Sequence, residues 1–94
     1  MQQRTSTQRD TVSQTVAANV RAEAARHEMR NVDVAPHLDI TAGQVGRKMR
    51  GVVPFTIDEL GVLALLWGHK HPNGDPDISV FVTRRITSTS RAVA

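Results

Sequence analysis

The sequence contains no cysteine and no tyrosine, only one tryptophan and two phenylalanines, and no long apolar run. The lack of cysteine excludes a disulfide framework and thiolate metal ligands, and it fits a reducing cytoplasm. Because there is no long apolar run and the opening residues are polar, neither a membrane span nor a signal peptide is expected. We therefore expect a cytoplasmic protein whose core is built from Val, Leu, Ile, Ala and Met.

The 94 residues allow one small domain, with a net charge of +3 and a pI near 10.6. A basic balance favours polyanionic partners, although a charge of this size is weak evidence by itself. Paired carboxylates, a nucleophile with a neighbouring base and a glycine-rich phosphate loop are all missing. The sequence therefore predicts no enzymatic activity and no cofactor.

Four helices are predicted between residues 11 and 68. The first, with one buried face, is expected from about residue 11 to 30, on apolar residues spaced four apart: Val12, Val16, Val20 and Ala24. A second is expected over residues 32–38, capped by Asn31, and a third over residues 42–50, capped by Thr41. The fourth begins at the capping box of Thr56 and Glu59. Its apolar character nearly all round predicts a central place in the core.

The segment that joins the second and third helices has the pattern of a tight turn. Small or apolar side chains would fill the wedge between the two helices: Ala35, Leu38, Ile40 and Val45. Asp39 tolerates the left-handed conformation that such a turn requires. A cationic cluster, residues 47–51, follows at the end of the third helix. A rigid helix pair with a basic outer face can enter the major groove of DNA, although a generic helical hairpin would have similar spacing.

The remaining segments are expected to lie outside this helical domain. Residues 1–10 are predicted to be a disordered basic arm, and residues 69–77 a loop rich in Pro, Gly and Asn. Residues 78–94 are expected to hold one strand and a polar tail. The predicted fold class is mainly α: a four- to five-helix bundle with a helix-turn-helix, plus one C-terminal extended strand.

Residues 16–68 resemble the Cro and phage-repressor (XRE-type) helix-turn-helix family. The matching positions are Ala35, Leu38, Ile40, Thr41, Val45 and Gly51. Residues 45–60 are similar to short phage and actinobacterial members, in which an arginine-rich helix end, a glycine, an apolar-Thr cap and a Glu-Leu pair recur in this order. The chain departs from the family at Asp39, where glycine is usual, at Gly46, where serine is frequent, and at Lys48, where an apolar residue is common.

The resemblance implies that the third helix contacts double-stranded DNA. The residues implied in DNA binding are Asn31, Thr41, Ala42, Gly43, Gln44, Arg47, Lys48 and Arg50. Residues 41–44 would lie nearest the base edges, with Arg47 one turn further on the same exposed side. Arg47 suits guanine, and Gln44 suits adenine, a phosphate or plain solvation. The other two cations are expected to meet phosphates or solvent, and Asn31 would hold a phosphate at the start of the second helix.

The loop after the fourth helix raises a metal hypothesis, because two histidines and two aspartates lie close together: His69, His71, Asp75 and Asp77. A loop without a fixed scaffold is a weak basis for such a site, so we expect exposed polar side chains and no bound metal. The other two histidines, His27 and His37, are expected at the surface or in an interface.

Residues 78–83 alternate β-branched or aromatic side chains with others and predict a single strand. One strand alone is unstable, so we expect it to pair with its symmetry mate in a homodimer, through Ile78, Val80, Phe81 and Val82. The alternative is an extended segment packed along the helices of its own chain. The arginines that follow, at 84 and 85, would reach DNA phosphates or keep the tail soluble.

These features predict a sequence-specific, double-stranded DNA-binding transcriptional regulator of the phage-repressor type, associated with the nucleoid. Three alternatives remain open: an antitoxin of the same fold, a recombination-directionality factor, and a helical interaction module that does not bind DNA. A steep fall of affinity for duplex DNA with salt would distinguish the DNA-binding hypotheses from the interaction module.

Overall fold

The computed structural model describes residues 11–83. In this part of the chain it contains five helices: α1 Val12–Arg26, α2 Asn31–Leu38, α3 Ala42–Met49, α4 Ile57–Leu66 and α5 Ser79–Val82. The prediction of a mainly helical fold is confirmed. None of the helices described here is both long and apolar enough to cross a membrane. The predicted arm (residues 1–10) and tail (residues 84–94) lie outside the described residues.

Threonines cap three of the helices. Thr11, Thr41 and Thr56 each accept a hydrogen bond from the backbone N–H three residues on, at 3.1, 3.1 and 3.0 Å. In every case the side chain at that third position bonds back to the threonine N–H, which completes a capping box. Two orphan donors are thereby satisfied at each helix start. The predicted caps at Thr41 and Thr56 are confirmed.

Two predicted helix boundaries are wrong. The first helix ends at Arg26 rather than near residue 30, because Glu28 adopts a left-handed conformation with φ +57°. Asn31 is the first residue of α2 and not its cap. Arg30 occupies the cap position, and its N–H donates to Asp33 Oδ2 at 2.9 Å. Asp33, in the first turn of α2, thus accepts the N–H of the cap residue, and its negative charge suits the positive helix start.

The core receives side chains from all five of these helices, from Phe55, which precedes α4, and from Trp67, which follows it. Its members are Val16, Val20, Ala24, Val34, Ala35, Leu38, Val45, Met49, Phe55, Leu60, Leu63, Ala64, Trp67 and Phe81. α4 buries only one side in this core. The opposite side leaves Val62 and Leu65 exposed, at 41% and 49%. The expectation that α4 is central is therefore correct for one face of the helix and wrong for the other.

The strand predicted over residues 78–83 is wrong. These residues contain α5, a single helical turn, and Phe81 is completely buried against the rest of the domain. The ring of Phe81 meets that of Trp67 edge to face, with centroids 6.2 Å apart. The buried amide of Asn19 donates to the carbonyls of Phe81 (2.7 Å) and Thr83 (2.9 Å) and so joins α5 to α1. Of the two arrangements weighed for this segment, it packs on its own chain, as a helical turn, and Phe81 is not available to a partner.

A buried carboxylate joins α1 to the segment after α4. Glu23, whose side chain is 4% exposed, lies 3.1 Å from His69 Nε2, 3.4 Å from His27 Nε2 and 3.4 Å from Arg26 Nη2. Burial raises the pKa of Glu23. The hydrogen bond with His69 and the charges of Arg26, His69 and His27 lower it by more, so the pKa lies below the ordinary value of 4.5.

This cluster predicts a loss of stability in acid. Because the pKa of Glu23 is lower in the folded state, its stabilising contribution is complete above about pH 4.5 and is lost as the pH falls through the folded-state pKa. We expect Glu23→Gln to lower the free energy of unfolding at pH 7 and to weaken its dependence on pH in the acid range. Urea denaturation between pH 7 and pH 3 measures both effects. Glu28→Gln removes one exposed carboxylate and should change stability at pH 7 by less than about 0.5 kcal/mol.

Candidate nucleic-acid interface

The turn between α2 and α3 holds the two helices in a fixed relation. Asp39 ends α2 in the left-handed conformation, at φ 59° and ψ 42°, as predicted from its residue type. The N–H of Ile40 then donates to the Ala35 carbonyl at 3.2 Å. Leu38 and Val45 are buried on either side of this turn. The helix-turn-helix is therefore fixed by backbone hydrogen bonds and by packing, and the other side of α3 remains at the surface.

That surface carries most of the residues implied in base contact. Thr41, Gly43, Gln44 and Arg47 are exposed, and Ala42 is half-buried. Among residues 11–83, no hydrogen bond or ion pair engages the guanidinium of Arg47. Gln44 differs, because its Oε1 accepts from the Thr41 N–H at 2.9 Å in the α3 capping box. Arg47 is therefore the better candidate for a residue whose side chain is available to a ligand.

Lys48 is not the available cation that the sequence analysis expected. Its Nζ lies 3.0 Å from Glu59 Oε1 and donates to the Pro54 carbonyl at 3.1 Å. It also lies 6.0 Å from the centre of the Phe55 ring, and its side chain is only 12% exposed. These contacts hold α3 against the start of α4. The assignment of Lys48 to phosphates or solvent is thus corrected to a structural role.

A groove beside α3 brings together polar groups from three helices. It has a volume of about 320 Å³. Half of its lining residues are apolar, Ala24, Ala25, Met29 and Met49, and the others are Arg21, Asn31, Gly46 and Arg50, of which the two arginines supply its charge. Gly46 is buried beneath it: a Cβ placed there would lie 3.4 Å from Asn31 Nδ2 and 3.5 Å from Arg50 Nη1. The lack of a side chain at Gly46 therefore lets the start of α2 and the end of α3 approach each other.

Arg21 was missed by the sequence analysis. Its Nη1 donates to the carbonyl of Met49, the last residue of α3, at 2.6 Å. That carbonyl has no partner within the helix, and a cation is favourable at a helix C-terminus. A guanidinium has five N–H donors, and Arg21 is one of the residues that line the groove. No local pattern in the sequence marks Arg21, because its partner lies 28 residues further along the chain.

The histidines of the 69–77 loop do not form a common site. His69 contacts Glu23 on α1, whereas His71 lies 3.7 Å from Asp77. Within the loop, the His71 N–H donates to the Asp75 carbonyl, and Lys70 forms an isolated bridge with Pro76. In the described part of the chain, no three His, Asp or Glu side chains are grouped so that they could hold a metal ion.

The structure defines a small helical domain with a helix-turn-helix, an exposed arginine on the outer side of α3 and a cationic groove beside it. No known protein family matches the chain, and no curated protein or solved structure matches it either. Inferences about function therefore rest on the residues and the geometry described above.

Proposed function

We propose that the protein is a sequence-specific, double-stranded DNA-binding regulator of transcription, related in architecture to the phage repressors. The observation that carries the proposal is the arrangement of α3. One side is packed against α2 through Val45, while the opposite side presents Arg47 without an intramolecular partner in the described residues. A guanidinium in the major groove can bind guanine O6 and N7 together. Arg47 would thereby specify bases.

The cationic groove would hold the DNA backbone. Arg21 from α1, Asn31 from α2 and Arg50, which follows α3, line this groove, and the N–H groups at the start of α2 also favour an anion. Phosphate contacts fix the orientation of a protein on the duplex without reading its sequence. We assign Arg21 and Arg50 to this role. Lys48 is left out of it because Glu59 neutralises its charge.

In this proposal the protein acts as a repressor in the cytoplasm, at the nucleoid, by occupying an operator and blocking polymerase. A palindromic operator presents two half-sites about one turn of DNA apart, and a two-fold dimer matches that spacing. The homodimer remains part of the proposal, but its contact cannot include the buried ring of Phe81.

Arg47→Ala should weaken binding to a preferred duplex by about 1–3 kcal/mol, with little effect on random duplex. The loss should also relax the preference at one base position. The measurement begins with selection of binding sites from random duplex pools. Affinities of both proteins are then determined for the selected site and for random sequence at fixed salt.

Arg50→Ala is the matched comparison, since it removes the same side chain from the C-terminal cap of the same helix. It should weaken binding to both duplexes equally and reduce the slope of log affinity against log salt by about 0.9. If selection enriches no sequence, the proposed function is wrong. If Arg47→Ala affects both duplexes equally, Arg47 contacts the backbone and does not specify bases.

Gly43→Ala should separate stability from binding. A Cβ at Gly43 would meet only Thr41 Oγ1, at 3.9 Å, so the fold has room for it. We expect thermal unfolding to show a gain of up to about 1 kcal/mol, because alanine favours the helix. DNA affinity should nevertheless fall, because in this proposal the added methyl group lies where the α3 backbone approaches the major groove of the DNA. Equal DNA affinity for the variant and the parent would show that Gly43 is merely tolerated in α3.

A further inference from the structure

In residues 11–83, nothing covers the apolar residues on the outward side of α4. Val62 and Leu65 lie on it with 41% and 49% exposure, and Ile57, at the helix start, is 67% exposed. The loop before α4 adds Val52 and Val53, at 64% and 38%. Five of the eight exposed large hydrophobic residues in the described chain thus fall between residues 52 and 65. We define the α4 face as Asp58, Val62 and Leu65.

The parts of the chain outside the described residues have the wrong composition to cover this surface. Residues 1–10 contain one large apolar residue, Met1, among polar and charged ones. Residues 84–94 contain Ile86 and Val93 among three arginines and several Ser and Thr. Residues 1–10 thus hold one large apolar side chain and residues 84–94 hold two, which are too few to cover the α4 face.

Opposite charges flank the apolar centre of the α4 face. Asp58 lies in the first turn, on the same side of the helix as Val62 and Leu65, at positions i, i+4 and i+7. Lys70 follows the other end of the helix. The N–H of its neighbour His69 donates to the Ala64 carbonyl at 2.7 Å, which places this segment beside the C-terminal end of α4. The surface is therefore negative at one end and positive at the other.

We propose that a second copy of this chain docks on the α4 face in an antiparallel, two-fold arrangement. Antiparallel packing places Val62 and Leu65 against their counterparts and Asp58 near the partner's Lys70. Parallel packing would set Asp58 against the partner's Asp58, which is repulsive. The surface is self-complementary, as an isologous interface requires. Because one short helix and its flanking loops form a small interface, the dimer should dissociate on the order of micromolar concentrations.

Sedimentation of the full chain without DNA, over a wide range of concentrations, tests this proposal independently of the proposed function. The parent should change from monomer to dimer as concentration rises. Val62→Glu and Leu65→Glu should each raise the dissociation constant by about tenfold or more. Circular dichroism should remain that of the parent, because both side chains are already exposed. Val12→Glu, which alters an exposed valine on α1, should leave the dimer intact.

A charge exchange tests the orientation of the two helices. Asp58→Lys alone should weaken the dimer, and adding Lys70→Asp should restore it. A parent that remains monomeric at every concentration would overturn the proposal. So would a dimer that tolerates both glutamate substitutions, since its interface would then lie elsewhere. If the charge exchange fails to restore a dimer that the glutamates disrupt, the antiparallel arrangement is wrong.

Discussion

Replacing Phe81 with alanine is expected to destabilise the domain by about 3–5 kcal/mol. The ring is completely buried and meets both Trp67 and His69 edge to face, at 6.2 Å in each case. Its removal leaves a cavity between α5, α1 and the end of α4. A domain of this size has a stability of only about 5–10 kcal/mol, so most of it would be lost. Urea denaturation followed by circular dichroism measures the change.

Val82→Ala is the matched control because Val82 is adjacent in sequence but 43% exposed. It should cost less than about 1 kcal/mol. If residues 78–83 were instead an edge strand shared between two copies, the Phe81 variant would remain folded and lose its ability to dimerise. A folded, monomeric Phe81→Ala protein of nearly normal stability would therefore contradict the packing of α5.

Val45→Asp is expected to abolish the folded state. Val45 is completely buried on the inner side of α3. A carboxylate there has no partner and must either remain charged in the core or take up a proton, and both cost several kcal/mol. The loss exceeds about 4 kcal/mol, which is comparable with the whole stability of the domain. Thermal scans by circular dichroism should show no cooperative transition.

Val52→Asp introduces the same side chain seven residues later, where the valine is 64% exposed. This control should retain a cooperative transition close to that of the parent. If Val45→Asp also melts cooperatively at an unchanged temperature, the inner and outer sides of α3 have been assigned incorrectly. The positions of Gly43, Gln44 and Arg47 on the outer side would then be wrong as well.

Local hydrogen bonding explains why parts of the fold could be predicted from sequence. A threonine followed three residues later by Gln or Glu forms a capping box through contacts within one helical turn, which is why Thr41 and Thr56 were found. The same locality explains Asp39 at the turn. Gly51 follows the cap of α3 with φ +79°, a conformation that glycine adopts without steric cost.

The strand prediction failed because alternation along residues 78–83 was read as a local preference, while the segment's structure depends on distant residues. Asp77 Oδ1 accepts the Ser79 N–H at 3.1 Å and favours a helical turn there. Burial of Phe81 beside Trp67 and the hydrogen bonds from Asn19 then hold that turn in place. Strand propensity depends strongly on context, and here tertiary packing outweighs it.

In the candidate site, the sequence predicted the exposure of Arg47 but not the contacts of Arg21 and Lys48, for a similar reason. The exposure of Arg47 follows from the helical repeat once Val45 is buried. The roles of Arg21 and Lys48 do not, since each depends on a partner in another helix or loop: the Met49 carbonyl for Arg21 and Glu59 for Lys48. A count of the cations in the α3 sequence includes Lys48, although Glu59 binds it, and leaves out Arg21, because Arg21 belongs to α1. Only the three-dimensional arrangement distinguishes a cation that holds the fold together from one that faces a ligand.

The hydrogen bonds from Asn19 to the carbonyls of Phe81 and Thr83 affect how the protein folds during synthesis. They join residues 62 and 64 positions apart, so the core cannot close until residues 81–83 have left the ribosome. Until then a nascent chain of α1 to α4 exposes Trp67 and its neighbours to solvent. Such intermediates are prone to aggregate and are the usual clients of chaperones. The last helical turn, only four residues long, thus determines when the emerging polypeptide ceases to need that protection.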